Sequence, residues 1–270
     1  MQTIISTSDL TIENEYFTGD IGALSIHPDG RPYGTFRTST VLAEGARIHF
    51  MNCVFENTAG PGKEAGQAIA LYLDGDDIRL TDCILRGHQD TLFLAPLPEK
   101  EVIKDGFLGP KQYTQRTHRS FLFKGCRIEG GVDFIFGGAT AVFEECEFVN
   151  VEPGYVFAPC TPKEIDRGFL AKGCKFLCTD NVMPKSCYIA RPWRQYGKVR
   201  LEDCYLGEHM HPEGFADWSG RGEGGTVVFE EYGSFGPGAS GAKRPAWVRS
   251  GADPKNCFIS NASPVVKNYK

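Results

Sequence analysis

Six cysteines recur at one phase of one pattern, and that recurrence constrains the fold more than any other feature of the chain. Aligned on the cysteine, the segments read RIHFMNCVFEN, DIRLTDCILRG, SFLFKGCRIEG, TAVFEECEFVN, GFLAKGCKFLC and KVRLEDCYLGE, centred on Cys53, Cys83, Cys126, Cys146, Cys174 and Cys204. Apolar residues alternate with polar ones up to the cysteine, and an apolar residue returns two positions after it. Alternation with period 2 marks a half-buried strand rather than a helix. Successive cysteines are 30, 43, 20, 28 and 30 residues apart, which suits a solenoid whose coils carry loops of unequal length. Meanders and sandwiches also contain many short strands, but they do not by themselves place one residue type at one phase six times. The expected fold class is therefore all-β, a right-handed parallel β-helix in which like residues stack coil upon coil at about 4.8 Å.

No break in composition divides the chain, so one catalytic domain is expected over residues 1–270. Residues 1–33, with the strand-like pieces TIISTS, DLTIENEYF and GALSIH, read as a first coil or an N-terminal cap. Residues 94–119 make up the insertion behind the longest cysteine spacing and are expected to line the cleft. Residues 205–222 carry His209, His211 and Trp218 in a polar loop. The tail, 233–270, is rich in glycine and proline where it begins and is expected to leave the solenoid and pack along its side.

The formal net charge of -5, with no basic run, argues against nucleic acid as a partner. No stretch approaches the ~18 apolar residues of a membrane span. The opening MQTIISTSDLTIENEYF lacks the basic and apolar regions of a secretory leader, so a cytoplasmic location is expected, or secretion if the native N-terminus is missing. Of the ten cysteines, the six at the repeat position read as reduced, stacked core residues rather than parts of an extensive disulfide framework. The Cys174 to Cys178 spacing has no matching pair or nearby histidine, so zinc is not expected.

The repeat also aligns two carboxylates. Asp90 follows Cys83 by seven residues, and Asp133 follows Cys126 by seven. On adjacent coils they would face each other within several ångströms, and two such groups do not both ionise easily. One pKa is expected to rise while the other stays low, leaving an acid beside a base or nucleophile. Gln89 adjoins Asp90 and Gln67 opens the strand-like QAIALYL, so both are candidate amide donors to an oxyanion. Arg191, in the sequence Arg191-Pro192-Trp193, is a candidate bidentate partner that holds one carboxylate ionised, and Trp193 offers a flat face for a sugar ring. The carboxylate pair alone leaves several chemistries open. A retaining glycosidase uses two such groups about 5–5.5 Å apart, a lyase needs a base and often a calcium site for which Asp74, Asp76 and Asp77 are the only acidic cluster, and a non-catalytic carbohydrate-binding solenoid is a third.

The segments GQAIAL, GHQDTLF, GGVDFIFG and YIARPW resemble, in the same order, four signature segments of the pectin methylesterases. GTFRT, FENTAG and EYGSFGPGA support the likeness, which spans about residues 34–240. The resemblance implies hydrolysis of the C6 methyl ester of galacturonate in pectin or methylated oligogalacturonides, with release of methanol. It assigns Asp133 as nucleophile, Asp90 as acid and then base, Gln89 and Gln67 as oxyanion donors, and Arg191 as the group that orients Asp133. Trp193, Phe136 and Val132 would line the sugar cleft. It implies no metal or organic cofactor and is compatible with a monomer. Ala190 stands where the family commonly has glycine. The region ahead of the first repeat is shorter than in typical secreted members, which leads to the expectation of truncated or rebuilt first coils and a preference for oligomers.

Overall fold

The computed structural model describes residues 2–251. Its strands form three parallel sheets of seven, nine and seven strands. The first sheet runs from Thr3–Ile5 through Val41–Ala43, Leu71–Leu73, Leu92–Leu94, Ile135–Gly137 and Tyr155–Pro159 to Tyr188–Ala190. The second contains Ile78–Thr81, Ser120–Lys124 and Thr140–Glu144, and the third contains Ile84–Arg86, Arg127–Gly130 and Glu147–Asn150. The chain visits the sheets in turn and pairs each strand with its equivalent one coil away, which makes a right-handed parallel β-helix.

The cysteine ladder marks the bend from the second sheet to the third. The residue before each ladder cysteine is left-handed: Asn52, Asp82, Gly125, Glu145, Gly173 and Asp203 all have φ between 52° and 62°. Asn, Asp and Gly tolerate this region, so the bend is written into five of the six repeats, and Glu145 adopts it under the register of its neighbours. The turn drops each cysteine into the interior, where all six are fully buried or nearly so. Their thiols reach backbone carbonyls, as in Cys126 Sγ to Leu80 O and Lys124 O, both 3.5 Å. No disulfide joins the nine described cysteines.

Period 2 divides the first sheet between two apolar cores. Leu71, Leu73, Leu92, Leu94 and Ile135 point into the solenoid. Tyr72, Phe93 and Phe136 point outward, yet are buried beneath Phe36 and Phe107. Phe36 comes from the short 3-10 turn Thr35–Arg37 and lies 5.0 Å from the ring of Phe93. Phe107 comes from the insertion 94–119 and lies 5.9 Å from Phe36. The insertion is thus anchored to the outer face of this sheet by its own aromatic side chain.

The ends differ in part from expectation. The first coil carries a strand in every sheet, Thr3–Ile5, Leu10–Glu13 and Tyr16–Gly19. GALSIH is not a strand of the solenoid; Ile26 makes a single antiparallel bridge to Pro32 across the Pro28–Gly30 turn. The stretch from Gly233 does not simply leave the coil. Arg249–Gly251 pairs in parallel with Val228–Tyr232 as the ninth strand of the second sheet, with Trp247 packed 5.7 Å from Phe229. The remaining tail, 252–270, lies outside the described residues.

Candidate active site

The two aspartates occupy equivalent turns between the third sheet and the first. Leu92 pairs with Ile135 across adjacent coils, and each follows its aspartate by two residues. Both aspartates are left-handed, φ 65° at Asp90 and 51° at Asp133, a conformation that short polar side chains accept. The backbone ties the turns together: Asp90 N donates to Val132 O at 3.0 Å, and Gly131 N donates to His88 O at 2.7 Å. Gly130 has no room for a side chain, because a Cβ there would meet Phe134 and His88 O. Equal phase in the sequence becomes two carboxylates one above the other.

Both are nearly sealed from solvent, Asp90 8% exposed and Asp133 7%. Burial first, and the neighbouring Asp133 carboxylate second, push Asp90 well above the ordinary carboxylate range, against the pull of Arg191. Asp133 is also raised, because the loss of water around it outweighs its hydrogen bond and charge attraction to Arg191. This corrects the expectation that one of the pair stays low. Both pKa values move up, and the two groups differ in that Arg191 hydrogen-bonds Asp133, which favours its ionised form.

Arg191 donates from Nε to Asp133 Oδ1 at 2.8 Å and from Nη2 to Oδ2 at 2.6 Å, the bidentate contact expected of it. It follows the strand Tyr188–Ala190, and its N–H bonds Phe157 O at 3.0 Å. The guanidinium lies 4.0 Å from the Tyr155 ring centroid and 4.1 Å from that of Trp218. Neither Tyr155 nor Trp218 carries a role in the sequence motifs. Tyr155 sits in a strand whose phase points it at the site, which was a usable signal. Trp218 comes from an irregular loop with no period to follow.

Gln89 O accepts from Ala68 N at 3.0 Å, which sets Gln67 and Gln89 on neighbouring coils beside the dyad. Gly62, in the short helix Gly62–Ala65, makes space for the Gln89 side chain; a Cβ there would collide with it. Trp193 rests on Phe136, 5.6 Å between ring centroids, and faces Phe107 at 6.5 Å. Phe136 is almost fully buried and forms the floor beneath Trp193, whereas Trp193 and Val132 are partly exposed. Asp74 and Asp77 are held by Arg119 at 3.3 Å and Arg79 at 3.0 Å, and the described residues assemble no acidic cluster suited to a cation.

The family profile described as Pectinesterase matches residues 21–97 and 110–257. The chain belongs to the pectinesterase family. A pectinesterase of Petunia integrifolia is 32% identical over 224 residues, which cover 79% of this chain and 54% of that protein. Pectinesterase 31 of Arabidopsis thaliana is 31% identical over 217 residues, covering 80% of this chain and 60% of that protein. The chain thus spans little more than half the length of these pectinesterases. Solved structures share its fold. A pectin methylesterase in complex with a hexasaccharide gives a TM-score of 0.74 at 21% identity, covering 100% of this chain and 85% of that chain. Pectin methylesterase from Erwinia chrysanthemi gives 0.73 at 21% with the same coverage.

Proposed function

We propose that this pectinesterase-family chain hydrolyses the C6 methyl ester of galacturonate units in pectin or methylated oligogalacturonides. The observation that carries the reading is the bidentate Asp133–Arg191 contact beside the buried Asp90, whose pKa burial raises. Arg191 favours the ionised form of Asp133 and aims it, as a nucleophile requires. Asp133 Oδ attacks the ester carbonyl, and the side-chain amides of Gln67 and Gln89 donate to the oxyanion that develops. Collapse of the tetrahedral intermediate expels the methoxy oxygen, which takes the Asp90 proton and leaves as methanol. An anhydride then joins Asp133 to the sugar carboxyl group. Ionised Asp90 removes a proton from water, the hydroxide attacks the anhydride carbonyl, and the Asp133 carboxylate departs. Asp90 is protonated again, and the net reaction is ester plus water to acid plus methanol. Trp193, Val132 and Phe136 form the sugar-facing wall and its floor. Asp90, Asp133, Gln67, Gln89 and Arg191 all come from one chain, in keeping with a monomer.

The test is methanol release from highly methylated pectin and from methylated trigalacturonate by the wild type and Asp133→Asn. Methanol from the wild type and loss of at least about 10³-fold in the variant is the expected result. No methanol from folded wild type, or reducing ends in its place, overturns the esterase; full activity in Asp133→Asn removes the proposed nucleophile.

A further inference from the structure

The loop that carries Trp218 is gripped from outside at two glycines, each of which leaves room for a side chain from the C-terminal segment. The loop starts against the first sheet: Ile189 N donates to Gly214 O at 2.6 Å, and Ala216 N donates to Ala190 O at 3.0 Å, just ahead of Arg191. Its turn closes on itself, with Gly222 N donating to Asp217 Oδ1 at 2.7 Å and Arg221 Nη1 to Trp218 O at 2.6 Å. Trp218 lies four residues from either glycine. Gly214 is left-handed, φ 66°, and a Cβ there would stand 2.6 Å from Arg244 Nη1. That nitrogen donates to Pro212 O at 2.8 Å, and the guanidinium lies 6.0 Å from the Phe215 ring centroid. A Cβ on the buried Gly222 would stand 2.6 Å from Cε2 of Trp247. Both gripping side chains are anchored on one strand, Val228–Tyr232. Arg244 forks onto Glu231, Nε to Oε2 at 2.5 Å and Nη2 to Oε1 at 2.9 Å, and Trp247 packs 5.7 Å from Phe229.

A loop outside the sheets has no ladder of its own to hold it, and segments with few buried contacts open at little cost in free energy. Yet the Trp218 ring has to stay 4.1 Å from the Arg191 guanidinium to serve as one face of its clamp. The two glycine slots supply the missing stiffness, because each locks the loop to a strand of the solenoid. We propose that Arg244 and Trp247 are positioning residues for the reaction: they seat the loop at Gly214 and Gly222, hold Trp218 against Arg191, and through Arg191 fix the aim of Asp133. This rests on the esterase reading above. Loss of either grip leaves the Arg191–Asp133 fork in place but frees one face of the guanidinium, so the geometry of attack loosens. Since the two residues act through Trp218, the loss falls on kcat more than on KM.

The test reads Arg191 directly. Its Nε–H is hydrogen-bonded to Asp133 and stacked between two rings, so its NMR signal should be displaced by ring currents and slow to exchange with water. Loss of one signal in Arg191→Lys assigns it. In Trp247→Leu, Gly222→Ala and Arg244→Lys the signal is expected to move toward that of free arginine and to exchange at least about tenfold faster. Methanol release from methylated pectin is expected to lose about tenfold in kcat with KM within about twofold, and Trp247→Phe to recover most of the loss. Added to Trp218→Leu, the same substitutions should cost almost nothing further in kcat. Gly222→Ala deletes no side chain, so it decides the matter where Trp247→Leu melts far below the wild type. An unmoved Arg191 signal in Gly222→Ala and Arg244→Lys overturns the proposal. So do kcat losses that multiply with that of Trp218→Leu, because the tail would then act by another route. The signal needs no turnover, which separates the two readings. A shifted signal without methanol from any form keeps the brace and removes the esterase, whereas methanol release with an unmoved signal keeps the esterase and removes the brace.

Discussion

Arg191 and Asp133 stand 58 residues apart in sequence and meet through two parallel hydrogen bonds of 2.8 and 2.6 Å. The same guanidinium lies between Tyr155 and Trp218, so both of its faces and its fork are held. The proposed nucleophile is therefore oriented by a group that has little freedom of its own. Arg191→Lys keeps the charge but loses the fork and the ring contacts. Its kcat/KM for methylated pectin is expected to fall on the order of 10²-fold. Arg191→Ala strands a buried carboxylate and is expected to cost about 3 kcal/mol in denaturant unfolding. Wild-type activity in the lysine variant would show that charge alone suffices.

Trp218 supplies one face of this clamp. Trp218→Leu fills part of the space without a π face, and a half-buried cation–π contact contributes about 1 kcal/mol. The expected outcome is a stability loss of about that size together with a drop in kcat of about tenfold, because the Arg191 fork is released. A change in KM with unaltered kcat would assign Trp218 to sugar binding alone.

The pH dependence of stability follows from Asp90. Its folded pKa lies above the ordinary 3.8, so folding favours its neutral form. The stability it contributes is fully present below the unfolded pKa and is lost as pH rises through the folded pKa. Asp90→Asn cannot ionise. It is expected to melt above the wild type at pH values above the folded Asp90 pKa, with the gap closing as pH falls toward 3.8. Thermal melts of both proteins across pH measure this directly, and a gap independent of pH would place an ionised Asp90 in the folded state. In the wild type, kcat/KM should fall on the alkaline side as Asp90 loses its proton and on the acid side as Asp133 gains one.

Gly62 and Gln89 form a second contact that links scaffold to chemistry. Alanine in a helix ordinarily gains up to about 1 kcal/mol over glycine. At Gly62 its Cβ would occupy space taken by the Gln89 side chain. Gly62→Ala is expected to lose 10-fold or more in kcat, up to the ~10²-fold of a missing oxyanion donor, with stability changed by no more than about 1 kcal/mol. Gln89→Ala should produce a similar loss, and the double variant little more. Independent, multiplying losses would break the link between the two residues.

Much of the scaffold was legible because a solenoid repeats its local rules. The cysteine phase, the alternation before it and the left-handed Asn, Asp or Gly just ahead of it all lie within a few residues of one another. The same phase carried Asp90 and Asp133 into register. Composition did not reveal the short strand that closes the described part of the tail. Glycine and proline marked an irregular path after Gly233, but Trp247 against Phe229 keeps Arg249–Gly251 on the sheet.

What the sequence determined by itself was the coil, its bend, its buried ladder and the pairing of two carboxylates, since each depends on periodicity or equal phase. What only the tertiary structure decided was the environment of that pair. The burial that raises Asp133 despite Arg191, the Tyr155–Trp218 clamp and the Gly62–Gln89 contact depend on segments that leave the coil at different points and meet over one face. Loops have no period, so their meeting is fixed by packing against the first sheet, and no spacing along the chain records it.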